Sequence, residues 1–210
     1  AVITWVDGSD QKYKKKIEKH LTTSTNYKKQ YLQANEIEYC VKSILKFAPF
    51  IRKIFIVTDN QKPSFSSLEN LIASNKVKVV DHKEIFKGYE KYLPTFNIRS
   101  IDAVLHRIED LSEMFVYFND DVFLVDKICE EDWFVKDKAV LMGKWARSYS
   151  INPLKVLSGK LKKTLGLRPS FNASQSKAAN ISGFKKEYFK SYHTARPQIK
   201  SVIKEFYHKN

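Results

Sequence analysis

The chain has 210 residues, of which 43% are hydrophobic and only six are Gly and six Pro. This composition excludes a fibrous or disordered polymer, and the length suits one sizeable hydrophobic core with a smaller extension. The formal charge is +14, and residues 151–210 carry +11 of it, with 13 Lys or Arg against two Asp or Glu. Charge concentrated in one segment favours an anionic partner over an evenly solvated lysine-rich surface.

Short continuous apolar runs alternate with segments of helical spacing along residues 1–120. The runs predict buried strands at 2–6, 53–58, 76–80 and 114–118. The helical spacing predicts helices at 12–21, 36–48, 64–74 and 98–108. Beyond Trp133 the pattern loosens, and we expect a strand at 139–142, an irregular basic stretch at 153–180 and helices at 185–192 and 197–207. This alternation is typical of a mostly parallel sheet with helices on both faces, so the predicted fold class is α/β.

The chain contains no run of roughly 18 apolar residues, the length that a membrane-spanning helix needs. Its two cysteines, Cys40 and Cys129, have no metal-ligand spacing, and we predict that both are reduced thiols in the core. These observations favour a cytoplasmic protein. The basic surface would permit peripheral contact with the acidic inner face of the cell membrane.

Polar residues follow each of the four predicted strands. They are Asp7 and Asp10, Asp59 with Asn60 and Gln61, Asp81 with His82, and Asn119 with Asp120 and Asp121. In open α/β sheets, ligands bind outside the carboxyl ends of the strands. A single Asp after a strand is ordinary turn chemistry, but four such strand ends in succession favour a shared binding site.

The adjacent carboxylates of Asp120 and Asp121 are the most specific of these features. Ionised carboxylates at the end of a buried strand need a counter-charge, and paired oxygen ligands suit Mg²⁺ or Mn²⁺ bridging a diphosphate. The alternative is a hairpin turn between MFVYF and VFL. Trp5 can stack on a nucleobase or belong to the core, while His82 and His193 suit structural or catalytic roles. The sequence has no P-loop, dinucleotide-binding, nucleophile-elbow or zinc motif.

Several segments, taken in order, resemble the conserved blocks of the Stealth family. They are TWVDGSD from Thr4, SILKFAPFIRKIFIVTDNQKP from Ser43, VVDHKEIF from Val79, LPTFN from Leu93, LHRIEDLSEMFVYFNDDVFL from Leu105 and YHTARPQIKS from Tyr192. That family comprises sugar-phosphate transferases of bacterial capsule synthesis, and the animal lysosomal-enzyme N-acetylglucosamine-1-phosphotransferase is a relative. The resemblance implies a GT-A-like nucleotide-sugar core, at residues 1–150, and a basic, mainly helical extension at 151–210 that completes the site.

The implied reaction transfers a hexose 1-phosphate from a UDP-sugar to a hydroxyl of an oligosaccharide or polysaccharide acceptor, with release of UMP. By position, the resemblance assigns Asp7, Gly8 and Asp10 to the nucleotide pocket. It assigns the metal, Mg²⁺ or Mn²⁺, to Asp121 together with Asp120. His193, Asp121 and Asp102, which stands where the family usually has Glu, form the expected catalytic set. The other expected substrate-binding residues are Trp5, Asp59, His82, Asn97, Arg107 and Arg196.

Phosphoryl transfer depends on positioning and on cations beside the phosphoryl oxygens, a role for which Arg52, Arg107 and Arg196 are candidates. His193 is our first choice for the general base, because an imidazole takes up a proton near neutral pH, and Asp102 is the second.

Other functions remain open at this level. An ordinary GT-A glycosyltransferase would transfer the sugar alone and release UDP. A polyanion- or nucleic-acid-binding protein would use the basic segment and be indifferent to metal and to Asp121, but binding alone gives no reason for acidic strand ends, which disfavours nucleic acid. An α/β domain without catalytic activity is a further alternative. The family's fourth block does not occur before Asn210, and the chain begins inside a strand-like run, so we expect an excerpt of a longer protein.

Overall fold

The computed structural model describes residues 1–20, 34–149, 153–165, 171–181 and 183–208. Contacts group the chain into two compact units, Ala1–Val140 with Ala195–Asn210, and Leu141–Thr194. The division into functional domains at residue 150 stays a prediction.

The described segments contain short strands and helices in alternation. The strands are β1 (Val2–Thr4), β2 (Ile54–Thr58), β3 (Val77–Asp81), β4 (Met114–Asn119), β5 (Phe134–Val135), β6 (Lys138–Ala139), β7 (Gly143–Arg147), β8 (Glu187–Ser191) and β9 (Arg196–Ile199). The α-helices are α1 (Gln11–His20), α2 (Glu36–Phe47), α3 (Leu68–Ala73), α4 (His82–Ile85), α5 (Ile98–Asp102), α6 (Pro153–Thr164), α7 (Phe171–Ile181) and α8 (Lys200–His208). Turns of 3₁₀ helix lie at Glu90–Tyr92, Leu105–Arg107 and Glu130–Asp132. Within these segments, no helix has both the length and the apolar character required to cross a bilayer.

A five-stranded sheet with the order β3-β2-β1-β4-β9 forms the centre of the first unit. β1 is parallel to β2 and β4, and β2 is parallel to β3, whereas β9 is antiparallel to β4. The register places Ile3 of β1 between Ile56 of β2 and Phe118 of β4. Four parallel strands therefore end at the same edge, and the predicted α/β fold class with a mostly parallel sheet is confirmed.

Both faces of this sheet are buried, which explains why its strands are apolar at successive positions. Alternate residues of a strand point to opposite faces. In β2, Ile54 and Ile56 join one buried cluster, while Phe55 and Val57 join the other. Helix α2 covers the first face with an apolar stripe that begins at Ile37. Helix α5 and the 3₁₀ turn after it cover the second face.

Several predictions for the region after Trp133 are wrong. The predicted helix at 185–192 is strand β8, which pairs antiparallel with β7. The stretch predicted to be irregular contains helices α6 and α7. The predicted strand at 139–142 stops at Ala139. Strand β8 depends on β7, a partner that is distant in sequence, and local spacing does not reveal such a partner.

Both cysteines are free thiols, as predicted. Cys40 is buried, where it packs with α2 against the sheet. Cys129 is exposed, so its predicted place in the core is wrong.

Candidate functional site

Two adjoining cavities lie at the edge where the four parallel strands end. The first, which we call the aromatic cavity, has a volume of about 260 Å³. Its lining includes Thr4, Trp5, Tyr13, His82, Phe96 and the Asn119-Asp120-Asp121 turn. The second, which we call the charged cavity, has a volume of about 350 Å³. Its lining includes Asp7, Asp10, Lys12, Lys16, Asp59 and Lys62. Trp5 and Tyr13 line both, so the two cavities adjoin across these rings.

The turn after β1 is tied to the turn after β2. The Asp7 backbone N–H donates to Gln61 Oε1 at 2.9 Å, and Gln61 Nε2 donates back to the Asp7 carbonyl oxygen at 3.0 Å. Asp7 Oδ1 accepts from the Ser9 backbone N–H at 2.7 Å and from Ser9 Oγ at 2.6 Å. Gly8 lies inside this turn. Of the predicted nucleotide-binding residues, Asp7 and Asp10 line the charged cavity, whereas Gly8 is not part of its lining. Asp7 also holds the local backbone.

Asp10 caps helix α1. Its Oδ1 accepts from the Tyr13 backbone N–H at 2.7 Å, and its carbonyl oxygen accepts from the Lys14 N–H at 2.9 Å. This is ordinary N-cap chemistry, in which a short acidic side chain satisfies a free N–H of the first turn. Tyr13, whose N–H is capped in this way, is buried and lines both cavities.

Asp59, after β2, forms an ion pair across the charged cavity. Lys16 Nζ of α1 lies 2.8 Å from both carboxylate oxygens. The pair offsets the Asp59 charge and fixes α1 against the end of β2. Lys12 and Lys62 supply further positive charge to the same cavity.

Asp81 and His82, after β3, have different roles. Asp81 caps α4, because its Oδ1 accepts from the Lys83 backbone N–H at 2.8 Å while Glu84 accepts from the Asp81 N–H at 2.7 Å. His82 lines the aromatic cavity and is 3% exposed. Burial lowers the pKa of His82, against the opposing effects of Asp59 and Asp81, so its ring is neutral at pH 7. Its Nδ1 is buried and receives no hydrogen bond from a described residue.

Asp120 and Asp121 form a turn at the end of β4, and both line the aromatic cavity. The Val122 N–H closes the turn by donating to the Asn119 carbonyl oxygen at 3.2 Å. Residues 122–125 form no strand, so the hairpin alternative is wrong.

Among the described residues, no three His, Cys, Asp or Glu side chains gather into a complete cation site. Mg²⁺ is usually held by one or two carboxylates together with substrate phosphates and water. Asp120 and Asp121 therefore fit a cation that binds together with a diphosphate.

Asp102, at the end of α5, lies beneath the aromatic cavity rather than in its lining. Burial raises the pKa of Asp102 to about 6, although the nearby Arg196 and the Tyr117 hydroxyl both act to lower it. The Tyr117 hydroxyl lies 2.7 Å from Thr4 Oγ1, and Thr4 lines the cavity. Two hydroxyl groups thus lie between the buried carboxyl group and the cavity.

Two of the predicted arginines stack on tyrosine rings. Arg196 of β9 stacks on the Tyr117 ring, with its guanidinium carbon 4.3 Å from the ring centroid. Arg107 stacks on Tyr89 at 4.9 Å and donates to the Lys87 carbonyl oxygen, away from both cavities.

Asn97 is exposed and caps α5 through a bond from the Arg99 N–H, at 3.2 Å. Arg52 donates to Ser112 Oγ at 2.9 Å and borders a cavity of about 610 Å³ at the amino ends of the strands. His193 belongs to the second unit.

Several residues that line the aromatic cavity were not predicted from the sequence, among them Thr4, Tyr13 and Phe96. Tyr13 and Phe96 contact each other edge to face, with ring centroids 5.9 Å apart. The sequence did contain a signal for Tyr13. Tyr13 and Ile17 are four residues apart in an otherwise lysine-rich helix, a spacing that places both on one face, and both are buried in the structure. Phe96 lies in a loop, where spacing carries no information about the site.

Comparisons with known proteins point to one family. Residues 30–142 match the family model described as Stealth protein CR2, conserved region 2. A capsular polysaccharide phosphotransferase of Haemophilus influenzae is 42% identical over 139 residues, which cover 63% of this chain and 36% of the relative. A capsular polysaccharide phosphotransferase of Actinobacillus pleuropneumoniae is 41% identical over 143 residues, covering 63% and 37%.

An exopolysaccharide phosphotransferase of Lactiplantibacillus plantarum is 38% identical over 139 residues, covering 65% of this chain and 39% of the relative. The chain thus spans well under half the length of these curated relatives. The family model covers more than half of the chain and includes the strand ends that carry Asp59, His82 and Asp121, so the protein belongs to the Stealth family.

Proposed function

We propose that the chain carries the donor site of a phosphotransferase that transfers a hexose 1-phosphate from a UDP-sugar to a hydroxyl of a capsular or cell-surface polysaccharide. The observation that carries this proposal is the convergence of residues from all four parallel strand ends on two adjoining cavities. The strand order and the adjacent carboxylates after β4 support the proposal that the sheet belongs to a GT-A-like nucleotide-sugar-binding core. The names of the relatives support phosphotransfer as the reaction class.

The donor would bind across both cavities. Phe96, which is half-buried, offers a flat apolar surface on which a nucleobase or a sugar face can pack. Trp5 and Tyr13 line the same cavity but are 8% and 4% exposed, so they form its wall and present little open ring surface. Asp120 and Asp121 alone would repel a diphosphate at this position. A divalent cation, Mg²⁺ or Mn²⁺, held by Asp121 and Asp120 would neutralise the diphosphate charge when it is bound.

The acceptor oxygen would attack the β-phosphorus of the donor, and the bond from that phosphorus to the oxygen retained by UMP would break. The acceptor hydroxyl must lose its proton in this step. We assign that proton to His193 as first choice and to Asp102 as second. The raised pKa of Asp102, about 6, suits a group that takes up and releases a proton near neutral pH.

The nucleotide released from a UDP-sugar tests the reaction class. The full chain is incubated with a panel of UDP-sugars, Mg²⁺ and a capsule-type oligosaccharide, and the products are separated by anion-exchange chromatography. We expect UMP and a phosphodiester-linked sugar. Release of UDP with a sugar-only product would instead identify an ordinary glycosyltransferase and would reject phosphotransfer.

A further inference from the structure

Helix α6 (Pro153–Thr164) carries a stripe of exposed leucines. Leu154, Leu157 and Leu161 are 77%, 66% and 60% exposed, and Leu165, directly after the helix, is 62% exposed. Their spacing of three to four residues places them along one side of the helix. An isolated exposed Leu is ordinary, but a continuous row of four marks an interaction surface.

The same helix is strongly basic. Residues 153–164 contain four lysines and no acidic residue, and the segment 151–210 carries a formal charge of +11. Lys160 is exposed. A leucine stripe combined with lysines on a single helix is the composition of helices that lie in the interface of an anionic bilayer. In helices of that kind, the leucines enter the acyl boundary and the lysines pair with lipid headgroups.

The positive charge of α6 also argues against a second copy of the chain as the partner that covers the leucines. A second copy of α6 packed on this stripe would add another helix with four lysines and no acidic residue to pair with them. Repulsion between like charges opposes association. An anionic lipid surface can bury the leucines in its acyl region and attract the lysines with its headgroups.

We propose that α6 is a membrane-contact helix that lies flat on an anionic lipid surface with its leucine stripe inserted. This inference goes beyond the proposed function, because it concerns where the protein acts and not which bond it forms. Vesicle binding is measured without donor, acceptor or metal, so its result is independent of the phosphotransfer assay.

The test is co-flotation of the full chain with vesicles of phosphatidylcholine alone, or of phosphatidylcholine with about one third phosphatidylglycerol. We expect binding to the anionic vesicles at least about tenfold stronger than to neutral ones, and weakening in high salt. The variant Leu157→Asp/Leu161→Asp should lose at least about tenfold in binding. The matched control is Val125→Asp/Val202→Asp, which makes the same change in charge at residues that are 87% and 57% exposed in the first unit, and it should bind like the wild type.

Three results would overturn the proposal. The first is equal binding of the wild type to neutral and anionic vesicles, or no binding to either. The second is an equal loss of binding in the leucine variant and the control. Since both variants add the same negative charge, the loss would then come from net charge and not from the leucines. The third is a wild-type dimer, seen by light scattering, that the leucine variant converts to a monomer, since a second copy would then cover the stripe.

Discussion

The carboxyl group of Asp102 lies close to Arg196 and the Tyr117 hydroxyl, yet burial dominates and raises its pKa to about 6. A raised carboxyl pKa means that the folded protein binds the proton more tightly than the unfolded chain does. Stability from this group is therefore complete at low pH and falls as the pH rises from about 4 to about 6. The ionised carboxylate therefore destabilises the fold at neutral pH.

Replacement of Asp102 by Asn should consequently stabilise the protein at pH 7.5, by on the order of 1–2 kcal/mol. The gain should disappear at pH 4, where the wild-type carboxyl group is protonated. Urea denaturation at several pH values measures the difference, with Asp126→Asn, at an exposed position, as the control that should show no such trend. A gain of equal size at both pH values would show that burial does not perturb Asp102.

At the scale of elements, the first four strands of the sheet could be predicted from the sequence and the last could not. β2 and β4 are buried on both faces, so each has an unbroken apolar run. β9 contains Arg196 and Pro197 and is recognisable only through its pairing with β4. The composition of β8 likewise predicts a helix, and its strand partner β7 begins more than forty residues earlier.

Gly143 marks the start of β7 for a steric reason. A Cβ at this position would overlap the Lys190 carbonyl oxygen and the Phe189 ring of β8. Gly143→Ala should therefore destabilise the protein by about 1–3 kcal/mol, the usual effect of overpacking. Gly159→Ala is the matched control, because Gly159 lies inside α6 with open space around it, and Ala there should be neutral or stabilising by about 0.5–1 kcal/mol. Unfolding free energies from urea titrations would reject the β7–β8 pairing if the two variants behaved alike.

At the scale of the whole molecule, the position of the candidate site could be predicted because it follows from sheet topology. Parallel strands end at one edge, and the sequence marks that edge with Asp7, Asp59, His82 and Asp121. The detailed roles could not be predicted, since most of the same side chains also cap helices or close turns. Asp10 caps α1, and Asp59 pairs with Lys16 from the helix that follows β1. Such contacts depend on the angle at which a helix leaves the sheet, which sequence spacing does not encode.

Titration of UDP into the full chain by calorimetry tests most directly whether this edge is a cation-assisted nucleotide site. Binding should be at least about tenfold tighter with Mg²⁺ than after metal removal with EDTA, because the carboxylates otherwise repel the diphosphate. Asp121→Asn should abolish most of the Mg²⁺ effect, while Asp126→Asn, an equal loss of charge at an exposed position a few residues later, should retain it. Equal UDP affinity with and without metal, or an unchanged metal effect in Asp121→Asn, would contradict the assignment.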